Sequence, residues 1–162
     1  MKHICFLSIG SNLGNKLFYI KNAISRLSSS FHIMKKSAFY YTESWGYKDD
    51  YYINCVVKMK TSLTPMLLLK ELIHIEKEMG RIENKTNQYQ ARQIDLDILF
   101  YDNQIIDLDT LKIPHPQLYY RNFVLVPFNQ IEPSFQCPVT HKNISQLLRE
   151  CCDESKISIH TH

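Results

Sequence analysis

The order of strand-type and helix-type patterns is the feature that most constrains the fold of this chain. Within the first 101 residues the patterns run strand, helix, strand, strand, helix, strand. They cover residues 3–9, 13–29, 31–41, 52–62, 65–79 and 94–101 in turn. This order is the split βαβ pattern. We therefore predict an α+β, ferredoxin-like β-α-β-β-α-β sandwich in which helices pack on an antiparallel sheet.

Residue spacing supports each of these assignments. Residues 3–9 are apolar at both alternating sets of positions, as in a strand that is covered on both faces. Leucine and isoleucine recur at helical spacing in residues 13–29, and aromatic and β-branched residues dominate the two middle strands. Thr64 followed by Pro65 is a typical helix start, and Gly80 is a typical helix end.

The remaining segments are shorter or irregular. Residues 81–93 are polar without a period and predict a long loop, and such loops often act as functional lids. We also predict a short strand at residues 104–106, a short helix at 118–123 and a last helix at 143–150. The chain of 162 residues shows no linker and no repeat, so we expect a single domain spanning residues 1–162.

Composition excludes several classes of protein. The net charge of +3 is too small to indicate a nucleic-acid partner, and no run approaches the roughly 18 apolar residues of a membrane span. The five cysteines are odd in number and form no C-x-x-C, which argues against a disulfide framework or a zinc site. A reducing cytoplasm fits this cysteine usage best. The apolar start runs into Gly10 without a cleavage motif and is interpreted as a strand.

Two aspartates on one strand are the sharpest local signal. In Ile94-Asp95-Leu96-Asp97-Ile98, strand alternation places Asp95 and Asp97 on one face, about 7 Å apart. Carboxylates in this arrangement suit magnesium, which commonly combines one or two of them with substrate phosphates and water. The alternative is the solvated face of an edge strand, and the spacing alone does not decide between the two.

Charged residues near this pair extend the hypothesis. Arg81 and Arg92 bracket the polar loop, and a guanidinium matches phosphate oxygens in bidentate fashion. The alternative for each is an ordinary surface arginine. Glu76 falls inside the apolar stripe of its helix, where a carboxylate needs a partner or a ligand. Otherwise Glu76 snorkels to solvent or pairs with Arg81 or Lys77.

Three further features carry open interpretations. The segment from Gly10 to Gly14 joins the first strand to the first helix and could hold an anion, or could be a tight turn with Ser11 or Asn12 as the helix N-cap. His115 stands between two prolines and is either a ligand-binding or a structural histidine. Trp45, Tyr52 and Phe123 could form an aromatic slot for a ligand, with Asn54 to recognise its polar edge. Alternatively, these side chains are part of the hydrophobic core.

Together these motifs resemble the 6-hydroxymethyl-7,8-dihydropterin pyrophosphokinase family of folate biosynthesis. The most specific blocks are Arg92-Gln93-Ile94-Asp95-Leu96-Asp97-Ile98-Leu99-Phe100, Ile113-Pro114-His115-Pro116 and Arg121-Asn122-Phe123-Val124-Leu125. The resemblance implies a cytoplasmic enzyme that transfers pyrophosphate from ATP to the hydroxymethyl group of a reduced pterin and releases AMP. It also implies ATP and the pterin as partners and two magnesium ions as cofactors. We expect a monomer, with no nucleic-acid and no membrane partner.

The same resemblance implies roles for individual residues. Arg81, Arg92, Asp95 and Asp97 would be catalytic, and Asp95 and Asp97 would hold the metal ions. The nucleotide would contact Glu76, Arg92, Ile98, Lys112, His115 and Arg121. The pterin would contact Thr42, Trp45, Tyr52, Asn54, Asp95 and Phe123.

Two other functions remain as alternatives. One is a different two-metal nucleotidyl or phosphoryl transferase on the same scaffold, which would have no use for the pterin wall of Thr42, Asn54 and Phe123. The other is a small regulatory module that binds a ligand without chemistry, which would have no use for the aspartate pair. Release of AMP from ATP in the presence and absence of a reduced pterin distinguishes them.

Overall fold

A computed structural model describes residues 1–43, 51–80 and 93–160 of the chain. The strands in this part are β1 (His3–Ser11), β2 (His32–Lys36), β3 (Tyr40–Glu43), β4 (Tyr51–Thr61), β5 (Asp95–Tyr101), β6 (Ile106–Asp107), β7 (Lys112–Ile113) and β8 (Ile157–Ile159). The α-helices are α1 (Lys16–Ser30), α2 (Pro65–Glu78), α3 (Asn122–Ile131) and α4 (Ile144–Glu150). A short 3-10 helix spans Leu118–Tyr120. Across these residues, no helix combines the length and the apolar character that crossing a bilayer requires.

Six strands form the main sheet in the order β5-β1-β4-β3-β8, and β2 also pairs with β4. Every pair in it is antiparallel. The predicted α+β class with helices on an antiparallel sheet is therefore confirmed. β6 and β7 pair separately as a small hairpin.

The single strand predicted for residues 31–41 is wrong, because the chain divides there into β2 and β3. Ser37 lies at the break. Its hydroxyl oxygen accepts a hydrogen bond from the Val56 N–H at 2.9 Å, and its own N–H donates to the Val56 carbonyl. The Ser37 hydroxyl thus takes the place of a backbone carbonyl as the acceptor for the Val56 N–H. The chain can therefore leave the hydrogen-bonded ladder with β4 between β2 and β3.

The sheet is covered by helices on both faces, as the sequence of β1 indicated. Leu7 and Ile9 belong to a core that includes residues of α1 and α2, whereas Phe6 belongs to a second core with α3 and α4. Since neighbouring strand residues point to opposite faces, the two cores lie on opposite sides of the sheet. We call these sides the α1–α2 face and the α3–α4 face.

A bulge interrupts the pairing of β1 with β5. Leu7 faces Ile98, but Phe6 faces Phe100, so Leu99 is an extra residue on β5. Leu99 and Phe100 therefore both enter the core on the α3–α4 face. In a bulge the extra residue is left out of the ladder.

Two helix predictions need correction. The N-cap of α1 is Asn15, whose side chain accepts from the Phe18 N–H at 3.2 Å, and not Ser11 or Asn12. The short helix predicted for residues 118–123 is instead the 3-10 helix followed by α3, which contains Pro127. Pro127 lacks the N–H that would pair with the Phe123 carbonyl. Burial of Val124, Leu125 and Phe128 stabilises α3 despite that loss.

The C-terminal end of α3 is tied to the sheet by an ion pair. Glu132 accepts from Lys58 of β4 at 2.9 Å, and Lys35 lies 3.3 Å from the same oxygen. Burial alone would raise the pKa of Glu132, but the hydrogen bonds from Lys58 and Lys35 outweigh it and lower the pKa below its ordinary value. This contact fixes one end of the helix that begins beside the site described below.

We expect Glu132→Gln to lower the free energy of unfolding by about 1–2 kcal/mol at pH 7. A carboxyl group whose pKa is depressed in the folded state stabilises the fold above its unfolded pKa, and this contribution is lost as the pH falls through the folded pKa. The difference between wild type and variant should therefore shrink steadily as the pH is lowered below 4.5, the ordinary pKa of the group. Urea unfolding over a series of acidic pH values measures it. The exposed Glu78, paired with Arg26 at 2.8 Å, provides the control Glu78→Gln, for which we expect less than about 0.5 kcal/mol. A difference that stays constant as the pH falls would contradict the ion-pair explanation.

Candidate active site

A row of polar residues crosses three strands on the α3–α4 face. Gly10 of β1 pairs with Asn54 of β4 on one side and with Asp95 of β5 on the other. Two residues earlier in β1, Ser8 pairs with Asp97. Directly opposed residues share a face of the sheet, so Asn54 and the two aspartates point to the same side. The predicted pairing of Asp95 with Asp97 on one face is consistent with this register.

Gly10 allows the Asn54 side chain to lie across β1. A Cβ atom at position 10 would lie 2.5 Å from Asn54 Oδ1, and the next neighbour outside that side chain, the Ile53 carbonyl oxygen, is 3.9 Å away. Gly10 was expected to end the first strand, but it lies within β1. A glycine inside a strand commonly marks a close approach, but the sequence pattern ended the strand before Gly10 and so did not indicate this one.

We expect Gly10→Ala to destabilise the protein by about 1–3 kcal/mol, because the new methyl group overlaps the Asn54 amide. In an Asn54→Ala background the same change should cost much less, since the overlapping atoms are gone. Urea unfolding of the two single variants and the double variant measures this coupling. Simply additive effects would contradict the close approach as the cause.

An aromatic slot borders this row. The rings of Tyr52 on β4 and Phe123 on α3 are 9° from parallel, with centroids 6.4 Å apart. Carbon atoms in contact prefer about 3.5–4.0 Å, so a flat ring stacked between the two needs them about 7 Å apart, measured perpendicular to the rings. The parallel rings hold a planar ligand once they stand at that spacing.

Two buried polar side chains lie at the end of the sheet that borders the slot. Thr42 of β3 pairs with Tyr52, and Asn54 is two residues further along β4. Both are at most 4% exposed, yet Thr42 Oγ1 and Asn54 Nδ2 have no hydrogen-bond partner within the part of the chain that the structure describes. Burying such groups unpaired is costly. They are therefore suited to a ligand that brings its own donors and acceptors.

His115 is held beside the aspartates by backbone contacts. Its N–H donates to the carbonyl of the bulge residue Leu99 at 3.0 Å, and its Nδ1 accepts from the Gln117 N–H at 3.1 Å. That acceptance places the ring proton on Nε2, which lies 4.0 Å from Asp97 Oδ1. Burial and the charge of Arg121 lower the pKa of His115, although Asp95 opposes them. The balance of these effects favours the neutral ring.

The donor set fits magnesium better than a resident transition metal. In the ranges that are described, no group of three or more His, Cys, Asp or Glu side chains converges on one point. Asp95 and Asp97 are both partly exposed, as ligands to an incoming metal–phosphate complex need to be. Two carboxylates are the usual protein share for a magnesium ion that completes its shell with phosphate oxygens and water.

The structure places the other predicted nucleotide residues in different parts of the fold. Glu76 is 3% exposed on α2, so the snorkelling alternative is wrong. Ile98 points into the core of the α1–α2 face, which leaves only its main chain for a ligand. Lys112 forms an exposed ion pair with Asp107. The Arg121 guanidinium lies 5.6 Å from the Phe123 ring centre.

Three predicted site residues, Arg81, Arg92 and Trp45, lie outside the described residues. The long loop predicted for residues 81–93 lies almost wholly outside them as well.

Paired carboxylates beside a slot between parallel aromatic rings are typical of a small transferase that acts on a flat ring compound. A family model described as 7,8-dihydro-6-hydroxymethylpterin-pyrophosphokinase matches residues 6–133. The chain is also 37% identical over 154 residues to the 2-amino-4-hydroxy-6-hydroxymethyldihydropteridine pyrophosphokinase of Aquifex aeolicus, covering 91% of this chain and 95% of that one. The chain therefore belongs to the 7,8-dihydro-6-hydroxymethylpterin-pyrophosphokinase family.

Some similar proteins are much longer than this chain. The folic acid synthesis protein FOL1 of Dictyostelium discoideum is 41% identical over 86% of this chain, which spans only 21% of that protein. The solved HPPK-DHPS of Plasmodium falciparum has a TM-score of 0.74 at 17% identity. That match covers 93% of this chain and 42% of the solved chain, and it supports the fold alone.

Proposed function

We propose that this chain is a magnesium-dependent pyrophosphokinase of folate biosynthesis. It transfers the pyrophosphoryl group of ATP to the hydroxymethyl group of 6-hydroxymethyl-7,8-dihydropterin, giving AMP and the dihydropterin pyrophosphate. The observation that carries the proposal is the row Asn54–Gly10–Asp95, in which β1 alone separates the metal carboxylates from a buried amide whose Nδ2 has no partner among the described residues. The group that recognises the pterin ring therefore lies next to the site that binds the phosphates.

The pterin occupies the aromatic slot. Its ring lies between Tyr52 and Phe123, and its polar edge meets Thr42 Oγ1 and Asn54 Nδ2, which have no partner in the described part of the chain. A site whose buried polar groups need a partner rejects a ring that lacks the matching donors and acceptors. In this orientation the hydroxymethyl group extends along the row toward Asp95.

The transfer is a displacement at the β-phosphorus of ATP. The hydroxymethyl oxygen forms the new bond to that phosphorus, the bond from it to the α–β bridging oxygen breaks, AMP leaves with that oxygen and its electron pair, and the hydroxyl proton passes to solvent water. Asp95 and Asp97, at the edge of the sheet, would hold two magnesium ions, and these would neutralise charge that develops on the phosphates.

The remaining roles follow from the family resemblance. Neutral His115 donates from Nε2 to a phosphate oxygen, and Arg121 supplies a positive charge close to it. Arg81 and Arg92 stabilise the transferring phosphates as catalytic residues. The rest of the nucleotide contacts Glu76, the main chain of Ile98 and Lys112. Trp45 completes the pterin pocket.

The finer architecture belongs to the same proposal. The order β5-β1-β4-β3 with α1 and α2 on one face supports a ferredoxin-like core in one domain, to which α3 and α4 are added on the other face. We further propose a cytoplasmic monomer without a nucleic-acid or membrane partner.

Product analysis tests the reaction directly. Purified protein with magnesium and ATP should release AMP only when the reduced pterin is added, and EDTA should abolish release. Release of ADP, or of AMP at the same rate without pterin, would overturn the proposal. The first result would indicate a different phosphoryl transferase, and the second would indicate hydrolysis. Binding without any product would indicate a regulatory module.

A further inference from the structure

The first turn of α3, which carries Phe123, is held by the far C-terminal segment of the chain. Arg121 occupies the N-cap position but its side chain makes no capping hydrogen bond. Instead the Asp153 carboxylate accepts from the Asn122 N–H at 3.1 Å. A carboxylate at a helix N-terminus satisfies a free N–H and complements the helix dipole. The cap is therefore supplied by a residue 31 positions away in sequence.

The Asn122 side chain adds hydrogen bonds in which it is the donor to the C-terminal segment. We call these contacts between Asn122 and residues 153–155 the clamp. Its Nδ2 donates to the carbonyls of Asp153 at 3.1 Å and Ser155 at 2.9 Å. Asp153 is itself fixed, because its second oxygen accepts from the N–H and the hydroxyl of Ser155 at 3.0 and 2.6 Å. Hydrogen bonds from Ser155 and Asn122 lower the pKa of Asp153 against the opposing effect of burial, so the cap is ionised at neutral pH.

The same segment then joins β3, the strand that pairs with the Tyr52 end of β4. Residues 157–159 form β8, which pairs with β3 so that Ile157 faces Thr42, and the His160 N–H donates to the Phe39 carbonyl at 2.7 Å. We call residues 153–160 the C-terminal strap. It links α3, which carries Phe123, to β3, which carries Thr42. The family match ends at residue 133, so the strap lies beyond it.

We propose that the C-terminal strap sets the width of the pterin slot, with Asp153 and Asn122 as positioning residues that hold Phe123 parallel to Tyr52. The inference rests on the proposed function, because it assigns the slot to the pterin. Neither residue needs to touch the substrate. Without the clamp, the first turn of α3 frays, and the ring loses its orientation while remaining attached to the helix.

Binding measurements on clamp variants test this inference. The pterin is titrated by fluorescence into protein saturated with magnesium and a non-hydrolysable ATP analogue. Asp153→Ala and Asn122→Ala should each raise the Kd of the pterin about tenfold and change the Kd of the ATP analogue by less than about threefold. Glu154→Ala removes an exposed charge from the same strap and should change neither value.

A second comparison separates positioning from general stability. In a Phe123→Ala background, Asp153→Ala should raise the Kd of the pterin by less than about twofold, because the ring it positions is absent. A full tenfold effect in that background, or an unchanged Kd in the single variants, would overturn the inference. If Asp153→Ala does not fold, Asp153→Asn, which keeps one acceptor oxygen, is used and should give an intermediate loss. Wild-type protein that binds the pterin but forms no AMP would overturn the proposed reaction and leave this binding test valid.

Discussion

Asp97→Asn should lower kcat by about three orders of magnitude, whereas the protein should remain folded and at least as stable as wild type. A metal ion contributes several kcal/mol to stabilising the charge of the transition state, and each 1.36 kcal/mol is a factor of ten in rate. The folded state should not suffer, because Asp97 shares a sheet face with Asp95, and removing one of two like charges relieves repulsion in the metal-free protein. Steady-state kinetics across a magnesium titration and urea unfolding measure the two effects.

The matched control is Glu150→Gln, which removes an exposed carboxylate at the end of α4 and should leave kcat unchanged. Wild-type turnover by Asp97→Asn in saturating magnesium would show that the metal assignment is wrong. A loss of activity accompanied by unfolding would contradict the expectation for stability and point to a structural role for this carboxylate.

Phe123→Ala should weaken pterin binding by about 1–3 kcal/mol, which corresponds to a Kd about 5 to 150 times higher. The alanine removes one wall of the slot, so the ligand loses its stacking area on that side. The affinity for a non-hydrolysable ATP analogue should change little. Calorimetric titration of each ligand separately provides both values.

Tyr120→Ala is the control for this variant, since Tyr120 is a neighbouring aromatic residue that is 71% exposed. It should bind both ligands as wild type does. Phe123 also packs against the core on the α3–α4 face. Equal losses for both ligands in Phe123→Ala would therefore indicate a packing defect and contradict a specific role in the slot.

Periodicity in the sequence was sufficient for the elements that have one buried face. Thr64 caps α2 with its side chain, and Pro65 opens the helix, as their residue types predicted. The shared face of Asp95 and Asp97 also followed from strand alternation, because it depends only on positions within one strand. Such features depend only on residues that are close in the sequence, so residue types and spacing are enough to predict them.

Features that depend on distant partners could not be predicted in this way. Pro127 argued against a helix at residues 122–131, and only burial of its neighbours in the tertiary structure outweighs the lost hydrogen bond. β8 has three residues and exists because β3 offers it an edge. The burial of Glu76 likewise depends on what packs around α2.

The candidate site likewise has features that the sequence predicted and features that depend on tertiary structure. Family motifs supplied the residue types, including Tyr52 and Phe123, but not the parallel arrangement of their rings, which depends on where α3 lies over the sheet. The clamp between Asn122 and Asp153 had no signal at all, since its partners are 31 residues apart. Gly10 lies just beyond the predicted strand, so its residue type indicated a turn, and only the longer β1 of the structure turns it into a point of close approach.

The bulge at Leu99 has a consequence for how mutations act on this strand. Strand residues alternate, so one extra residue reverses the side that every position beyond it presents. In β5 the aromatic half and the aspartate half are therefore in opposite phase, and Leu99 is the point at which the phase changes. Had the strand alternated strictly through Leu99, Phe100 would face the α1–α2 side and Tyr101 the α3–α4 side, opposite to the faces they occupy. The bulge therefore lets Phe100 share a face with the aspartates and keeps Tyr101 in the other core. The same residue offers its carbonyl to His115. An apolar position between the carboxylates and the aromatic rings thus determines which core each ring enters, and it holds the histidine that stands beside Asp97.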